Sequence, residues 1–135
     1  MIKKAALFGI ASLLVLAAPA QAAEGPSDPE IAHIAYTAGT IDISAARQAL
    51  KKSGNKAVRA FAEEMARDHQ AVNEKALALV KTLKVTPADN AISASLSRDA
   101  AATEERLAGL EGAAFDRAYL QNEVAYHKAV NGALE

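Results

Sequence analysis

The sequence predicts an all-α fold, an up-and-down antiparallel helical bundle with four helices. Alanine is abundant, whereas glycine and proline number only seven and four in 135 residues, and this composition favours helix. Apolar residues recur at spacings of three and four, the period of a helix with one buried face. The segments between the predicted helices are short, which implies antiparallel neighbours. Because the chain has no cysteine, we expect packing alone to stabilise the bundle.

Residues 1–22 have the features of a secretory signal peptide. Two lysines at positions 3 and 4 precede an apolar run at 5–18, and Ala-Gln-Ala at 20–22 supplies the small-x-small pattern of a cleavage site. We therefore expect cleavage before Ala23 and export, to the periplasm or to an association with the outer membrane. A retained N-terminal anchor is the alternative. The run is shorter than the roughly 20 residues that span a bilayer, and no transmembrane span is expected in the mature protein.

Residues 23–27 are predicted to be a short tether, and residues 28–135 a single helical domain. Loss of the two lysines in the signal peptide would change the net charge from −1 to −3. This mild acidity argues against nucleic acid as a partner, because nucleic-acid binding requires a basic face. The lack of cysteine excludes thiol catalysis and thiolate metal sites.

The first helix is expected to begin at residues 27–30, Ser-Asp-Pro-Glu, which offer a capping side chain, a proline in the first turn and an early acid. Its buried stripe is predicted from residues at helical spacing: Ile31, Ile34, Ala38, Ile41 and Ala45. Residues 53–55 end this helix, and Gly54 is expected to adopt the left-handed conformation of a C-cap.

The second helix is predicted at 56–83 and has the clearest period in the chain. Its stripe alternates spacings of four and three: Val58, Ala62, Met65, His69, Val72, Ala76, Leu79 and Leu83. A third helix is expected at about 90–110, with a stripe of Ile92, Leu96, Thr103, Leu107 and Leu110. A fourth begins near residue 114 and carries Leu120, Glu123, His127, Val130 and Leu134 in line.

The last residue, Glu135, falls in the middle of the apolar period of the fourth helix. We expect that the sequence is truncated here, since it lacks a capping residue or a polar tail. A natural helix end that frays is the alternative. A missing last helix would leave an apolar groove open between the others.

The second and fourth helices share the pattern His-x-Ala-Val-Asn, at residues 69–73 and 127–131. In the same register Phe61 corresponds to Tyr119, and the offset of 58 residues is one helical hairpin. Both histidines lie on the apolar stripe of their own helix. Chance similarity between alanine-rich helices is one explanation. The other is a duplicated hairpin whose corresponding side chains converge in the core.

The segments 61–69 and 115–120, together with His127, carry a family resemblance. From Ala38 onward the sequence resembles the bacterial exported family called domain of unknown function 4142, over nearly all of the expected mature chain. The resemblance implies a ferritin-like bundle, and members are often labelled as outer membrane proteins. Family members usually continue for one more helix beyond Glu135. The resemblance implies a fold but no settled activity.

The candidate metal-site residues are His69, His127, Glu123 and Asp68, with Asp42 as a further candidate. Imidazole and carboxylate groups that face inward across a bundle can hold iron, manganese or zinc. Glu123 and His127 are four residues apart and share a helix face. Asp68 is adjacent to His69, points about 100° away from it, and is expected at the rim.

Three interpretations of these residues stay open. The histidines are neutral core residues, satisfied by each other, by Glu123 or by Tyr36 or Tyr126; or they bind one transition-metal ion; or they belong to a di-iron centre. A di-iron bundle carries Glu-x-x-His motifs, and neither helix has one. The sequence therefore offers too few carboxylate ligands for a dinuclear site. His33, beside the first stripe, is expected at the surface.

The sequence does not establish an enzymatic activity, since nucleophilic triads and glycine-rich phosphate loops are not recognisable in it. The first hypothesis is a non-enzymatic periplasmic binding or stress-protective module. The second is a metal-binding or metal-oxidising protein of the ferritin type that uses the inward His and Glu residues. The third is a role in the envelope, in which an amphipathic helix meets lipid or a partner, or the protein associates with itself.

Overall fold

The computed structural model describes residues 25–134, which form four helices. α1 spans Asp28–Lys52, α2 Lys56–Leu83, α3 Ala91–Ala108 and α4 Gly112–Leu134. The structure is 85% helical and the described residues contain no strand, so the predicted all-α class is confirmed. The predicted signal peptide, the first two residues of the tether and Glu135 lie outside the described residues.

Contacts between helices show that the bundle runs up and down. α1 packs against all three other helices, most extensively against α2. α2 and α4 both run antiparallel to α1, because residues early in α1 contact residues late in each partner and the reverse: Tyr36 with Asn73, Leu50 with Arg59, Ala38 with Tyr126, and Lys52 with Phe115. α3 runs parallel to α1, with His33 beside Ser93 and Lys52 beside Ala108.

The two ends of α1 are capped in different ways. At the start, as the sequence predicts, the Glu30 carboxylate accepts hydrogen bonds from the Ser27 amide at 2.9 Å and hydroxyl at 2.6 Å. At the end, the prediction for Gly54 is wrong, because it does not adopt a left-handed conformation. Arg59 instead donates to the carbonyl oxygens of Leu50 and Ser53, so the last turn needs no left-handed cap.

The core lies in the half of the bundle where α1 ends and α2 and α4 begin. Phe115 and Tyr119 are fully buried and stacked, with ring centroids 6.1 Å apart, and Phe61 meets Tyr119 edge to face at 6.1 Å. Small residues of α1, Ala46 and Ala49, are fully buried against them. Close packing of small against aromatic residues therefore fixes how α1 sits between α2 and α4.

The buried face of α1 is rotated by one residue from the predicted stripe in its second half. Ile34 and Ala38 are buried as expected, but the line continues through Asp42, Ala46 and Ala49, where the sequence predicted Ile41 and Ala45. A carboxylate therefore occupies the middle of an apolar face.

The second half of α2 and one side of α4 present apolar residues to solvent. Val72, Leu79 and Leu83 are exposed on α2, and Val124 on α4 is 58% exposed. The apolar stripe of α2 is thus buried only over its first half, at Val58 and Ala62. Within the described residues no helix combines the length and the hydropathy needed to cross a membrane.

Candidate metal centre

Three side chains from three helices meet above the aromatic core. Nε2 of His69 lies 3.1 Å from Oδ2 of Asp42, and Nε2 of His127 lies 3.8 Å from the same oxygen. The two imidazole rings touch edge to face, with centroids 5.7 Å apart. One potential ligand atom from each residue falls within 4.8 Å of the others. The arrangement therefore has the dimensions of a cation site.

Both imidazole rings are held in the same tautomer by their own helices. Nδ1 of His69 is 2.9 Å from the carbonyl oxygen of Met65, and Nδ1 of His127 is 2.9 Å from that of Glu123. A carbonyl oxygen can only accept a hydrogen bond, so each Nδ1 carries the proton. In the neutral rings each Nε2 then has a lone pair, and both lone pairs point towards the Asp42 carboxylate. A hydrogen bond from the second ring nitrogen to a carbonyl is the usual support of a metal-ligating histidine.

The centre also contains buried carboxylate oxygens without partners. Asp42 and Glu123 are each only 3% exposed. Neither Oδ1 of Asp42 nor either oxygen of Glu123 has a hydrogen-bond partner within residues 25–134. Burial raises the pKa of Asp42, although His69 and His127 oppose this shift. Burial and the charge of Asp42 raise the pKa of Glu123 to about 7, again opposed by His127. Buried carboxylate oxygens without partners are costly unless a proton or a cation compensates them.

Two tyrosines of α4 complete the polar surroundings of the centre. The Tyr126 hydroxyl donates to the carbonyl oxygen of Ala38 at 3.0 Å and so ties α4 to α1. The Tyr119 hydroxyl is buried and has no partner among the described residues. Burial, together with the negative charges of Glu123 and Asp42, raises the pKa of both tyrosines. Both phenols are therefore neutral near pH 7 and could act as hydrogen-bond donors.

The structure brings His69 and His127 together at Asp42, buries Glu123 one turn before His127, and leaves Asp68 outside. Asp68 is exposed and pairs with its neighbour Arg67 at 2.8 Å, which agrees with its expected position at the rim. The sequence named Asp42 only as a further candidate, yet it is the residue that both imidazoles face. The signal that could have placed it was its spacing of four from Ala38 and from Ala46 on the buried face of α1.

The third histidine lies near the start of α1, about two and a half turns before Asp42. His33 was expected at the surface, but its side chain is only 26% exposed. Its Nδ1 is 3.0 Å from the hydroxyl of Ser93, and its Nε2 is 2.8 Å from the carboxylate of Asp89. The same hydroxyl is engaged in the cap of α3 with Asn90, and Ser93 is buried. This contact thus joins the loop before α3 to α1 and does not expose a nucleophile.

Comparison with known proteins gives one match. The model of a family described as "Domain of unknown function (DUF4142)" matches residues 14–135, a range that includes all four helices. No curated protein and no solved structure matches the sequence. The arrangement of the residues themselves therefore carries the functional argument.

Proposed function

We propose that this chain, which belongs to the DUF4142 family, binds one divalent transition-metal ion through Asp42, His69 and His127. The observation that carries the proposal is the approach of two Nε2 atoms to one buried carboxylate oxygen, at 3.1 and 3.8 Å. Because both Nδ1 atoms hold their protons against carbonyl oxygens, lone pairs and negative charge converge in one place. A metal ion at that point would take the carboxylate oxygen and both imidazole nitrogens as ligands.

The donor set indicates which metals the centre would accept. Imidazole nitrogen suits zinc and iron, whereas carboxylate oxygen also suits manganese. One divalent cation would neutralise the charges of Asp42 and Glu123 together. The Glu123 oxygens lie outside the cluster of three ligand atoms, so we propose that this side chain turns towards the bound ion as a fourth ligand. The described residues place two carboxylates inside the bundle, which are too few ligands for a dinuclear centre. We therefore propose a single ion.

The role that we propose is binding of the metal, without an assigned catalytic reaction. If residues 1–22 direct export, as their sequence indicates, the centre would operate in the periplasm or at the outer membrane. There, a bundle that holds a transition metal between buried carboxylates and imidazoles would serve as a non-enzymatic binding or stress-protective module. The features in favour are the buried charge and the fixed tautomers.

Metal analysis of the protein purified without chelator, followed by calorimetric titration with Zn(II), Mn(II) and Fe(II), tests this proposal. We expect a stoichiometry of one ion per chain for at least one of these metals. Asp42→Asn, which keeps the shape but removes the charge, should abolish binding. Asp68→Asn is the matched control and should bind as the parent does, because Asp68 lies outside the centre. If no metal binds stoichiometrically, or if Asp42→Asn binds normally, the histidines are ordinary core residues.

A further inference from the structure

We infer that Gly39 and Asn73 position the metal centre, because their contact sets the separation of α1 and α2 at which Asp42 reaches His69. The inference rests on the proposed function, since its main effect is read at the proposed metal site. Gly39 and Asn73 are positioning residues and are not ligands themselves.

The two residues form the layer of the helix interface next to the centre. Gly39 lies three residues before Asp42 on α1, and Asn73 lies four residues after His69 on α2. Residues at these spacings share a face of a helix and lie about one turn apart. Since α1 and α2 are antiparallel, the Gly39–Asn73 contact lies directly beside the Asp42–His69 contact.

The approach at Gly39 is too close for any side chain. A Cβ atom added there would lie 2.9 Å from Cγ of Asn73 and closer still to Oδ1. Gly39 is buried and Asn73 is 7% exposed, so a Cβ atom at Gly39 would meet the amide inside the interface. Glycine weakens a helix interior, and the sequence alone offers no reason for one in the middle of α1. The structure supplies the reason, because glycine leaves room for the Asn73 side chain in the place that it occupies between α1 and α2.

Asn73 also forms hydrogen bonds between α2 and α1 beside the centre. Its Nδ2 atom is 3.4 Å from the carbonyl oxygen of Tyr36 and 3.3 Å from Oγ1 of Thr40, both on α1. Asn131, which corresponds to Asn73 in the repeated His-x-Ala-Val-Asn pattern, is exposed on α4. The buried amide is therefore a feature of the α1–α2 interface, where Asp42 must be placed.

Displacement of α1 from α2 at this level would separate the ligands. Sites of this kind hold their geometry within about 0.5 Å, and the Asp42–His69 distance is 3.1 Å. A methyl group at Gly39 must either push the helices apart or drive the Asn73 amide out of its place. When the helices move apart, the carboxylate loses its position relative to the imidazole.

The test compares the metal affinity of Gly39→Ala with that of the double variant Gly39→Ala/Asn73→Ala. We expect Gly39→Ala to weaken binding about 10-fold or more, the range in which residues that support ligands act. The double variant, in which the obstructing amide is removed, should recover most of the loss. Gly132→Ala is the matched control, because Gly132 lies in α4 with open space around it; its affinity should not change.

Two results would overturn the inference. One is a parental affinity in Gly39→Ala, and the other is a loss that Asn73→Ala does not repair. Circular dichroism establishes that each variant is folded. If Gly39→Ala does not fold, Asn73→Gln applies the same steric pressure from α2 with α1 unchanged, and its affinity must then fall while Gly132→Ala stays normal.

A measurement on metal-free protein separates this inference from the proposed function. A double-mutant cycle with Asp42→Asn and His69→Leu, read by urea unfolding, reports the coupling between the two side chains. We expect this coupling to be lost in the Gly39→Ala background and regained with Asn73→Ala. If the parent protein binds no metal but the coupling follows this pattern, the proposed function is wrong and the positioning role stands. If the parent binds metal and Gly39→Ala alters neither coupling nor affinity, only the positioning role is wrong.

Discussion

His69 and His127 touch edge to face across the bundle, with ring centroids 5.7 Å apart and planes at 64°. They occupy equivalent positions of two helical hairpins 58 residues apart, and each ring is fixed by the carbonyl oxygen four residues before it. One layer below, the equivalent pair Phe61 and Tyr119 is also in contact. Corresponding residues therefore face each other, as in a bundle with an approximate two-fold axis between α2 and α4.

The carboxylates of the centre break this symmetry. Asp42 comes from the first hairpin and corresponds to Ala100 in the second, whereas Glu123 comes from the second and corresponds to Met65 in the first. Each hairpin thus contributes one imidazole and one buried carboxylate, but from different positions. The repeated pattern therefore identifies both histidines, but it does not identify Asp42 and Glu123, which have no carboxylate at the corresponding position of the other hairpin.

Replacement of both histidines by leucine is expected to remove the stabilisation that metal gives. A ligand at 100 times its dissociation constant stabilises the folded state by about 2.7 kcal/mol, so the parent should gain that amount in urea unfolding with metal. His69→Leu/His127→Leu should gain nothing. His33→Leu, with its histidine near the start of α1, is the control and should gain as the parent does. Equal gains in all three proteins would contradict the ligand assignment.

Much of the fold could be predicted because helix period and capping are local properties. The regular stripe of α2 predicts Lys56–Leu83, the bounds that the structure has. Which half of that stripe is buried depends on packing against other helices, so the exposure of Val72 and Leu83 could not be predicted. Asp42 could be named only as a further candidate for a similar reason, because its burial and its contacts with His69 and His127 depend on how α2 and α4 pack against α1.

Truncation of Phe115 is expected to destabilise the protein by about 3–5 kcal/mol, the usual cost of removing a buried phenylalanine. Its ring is fully buried, stacks on Tyr119 and lies 5.8 Å from the Lys52 ammonium. Urea unfolding of Phe115→Ala measures the change in the free energy of unfolding. Leu83→Ala is the control, because Leu83 is 61% exposed and should change stability by no more than about 0.5 kcal/mol. Similar losses in both variants would show that the core is not where the structure has it.

The exposed apolar residues beside the histidines predict binding of a hydrophobic dye or self-association. Val72 lies one turn after His69 and Val124 one turn before His127, and both are nearly 60% exposed. Exposed apolar patches above a few hundred Å² are unusual in monomers. We expect Val72→Ser/Val124→Ser to lower dye fluorescence and the association seen by sedimentation. A parent protein that is monomeric and does not bind the dye would contradict this prediction.

The stability of the metal-free protein is expected to fall as the pH rises from about 4.5 to about 7, because of Glu123. Burial and the charge of Asp42 raise its pKa to about 7 in the folded state, whereas the ordinary value is 4.5. Between these two values the folded protein keeps a proton that the unfolded chain has released, so stability decreases with rising pH. The full effect above pH 7 is roughly 3 kcal/mol. Asp42, whose pKa burial also raises, acts in the same direction.

Glu123→Gln separates this contribution from that of every other group, because glutamine has the same shape and no charge. In urea unfolding from pH 4.5 to 8, the variant should lose much less stability than the parent and should be the more stable protein at pH 8. The order should reverse when metal is added, because the ionised carboxylate of the parent would then be a ligand and the amide of the variant a poor one. Parallel stability curves for the two metal-free proteins would show that Glu123 is not the buried acid that titrates.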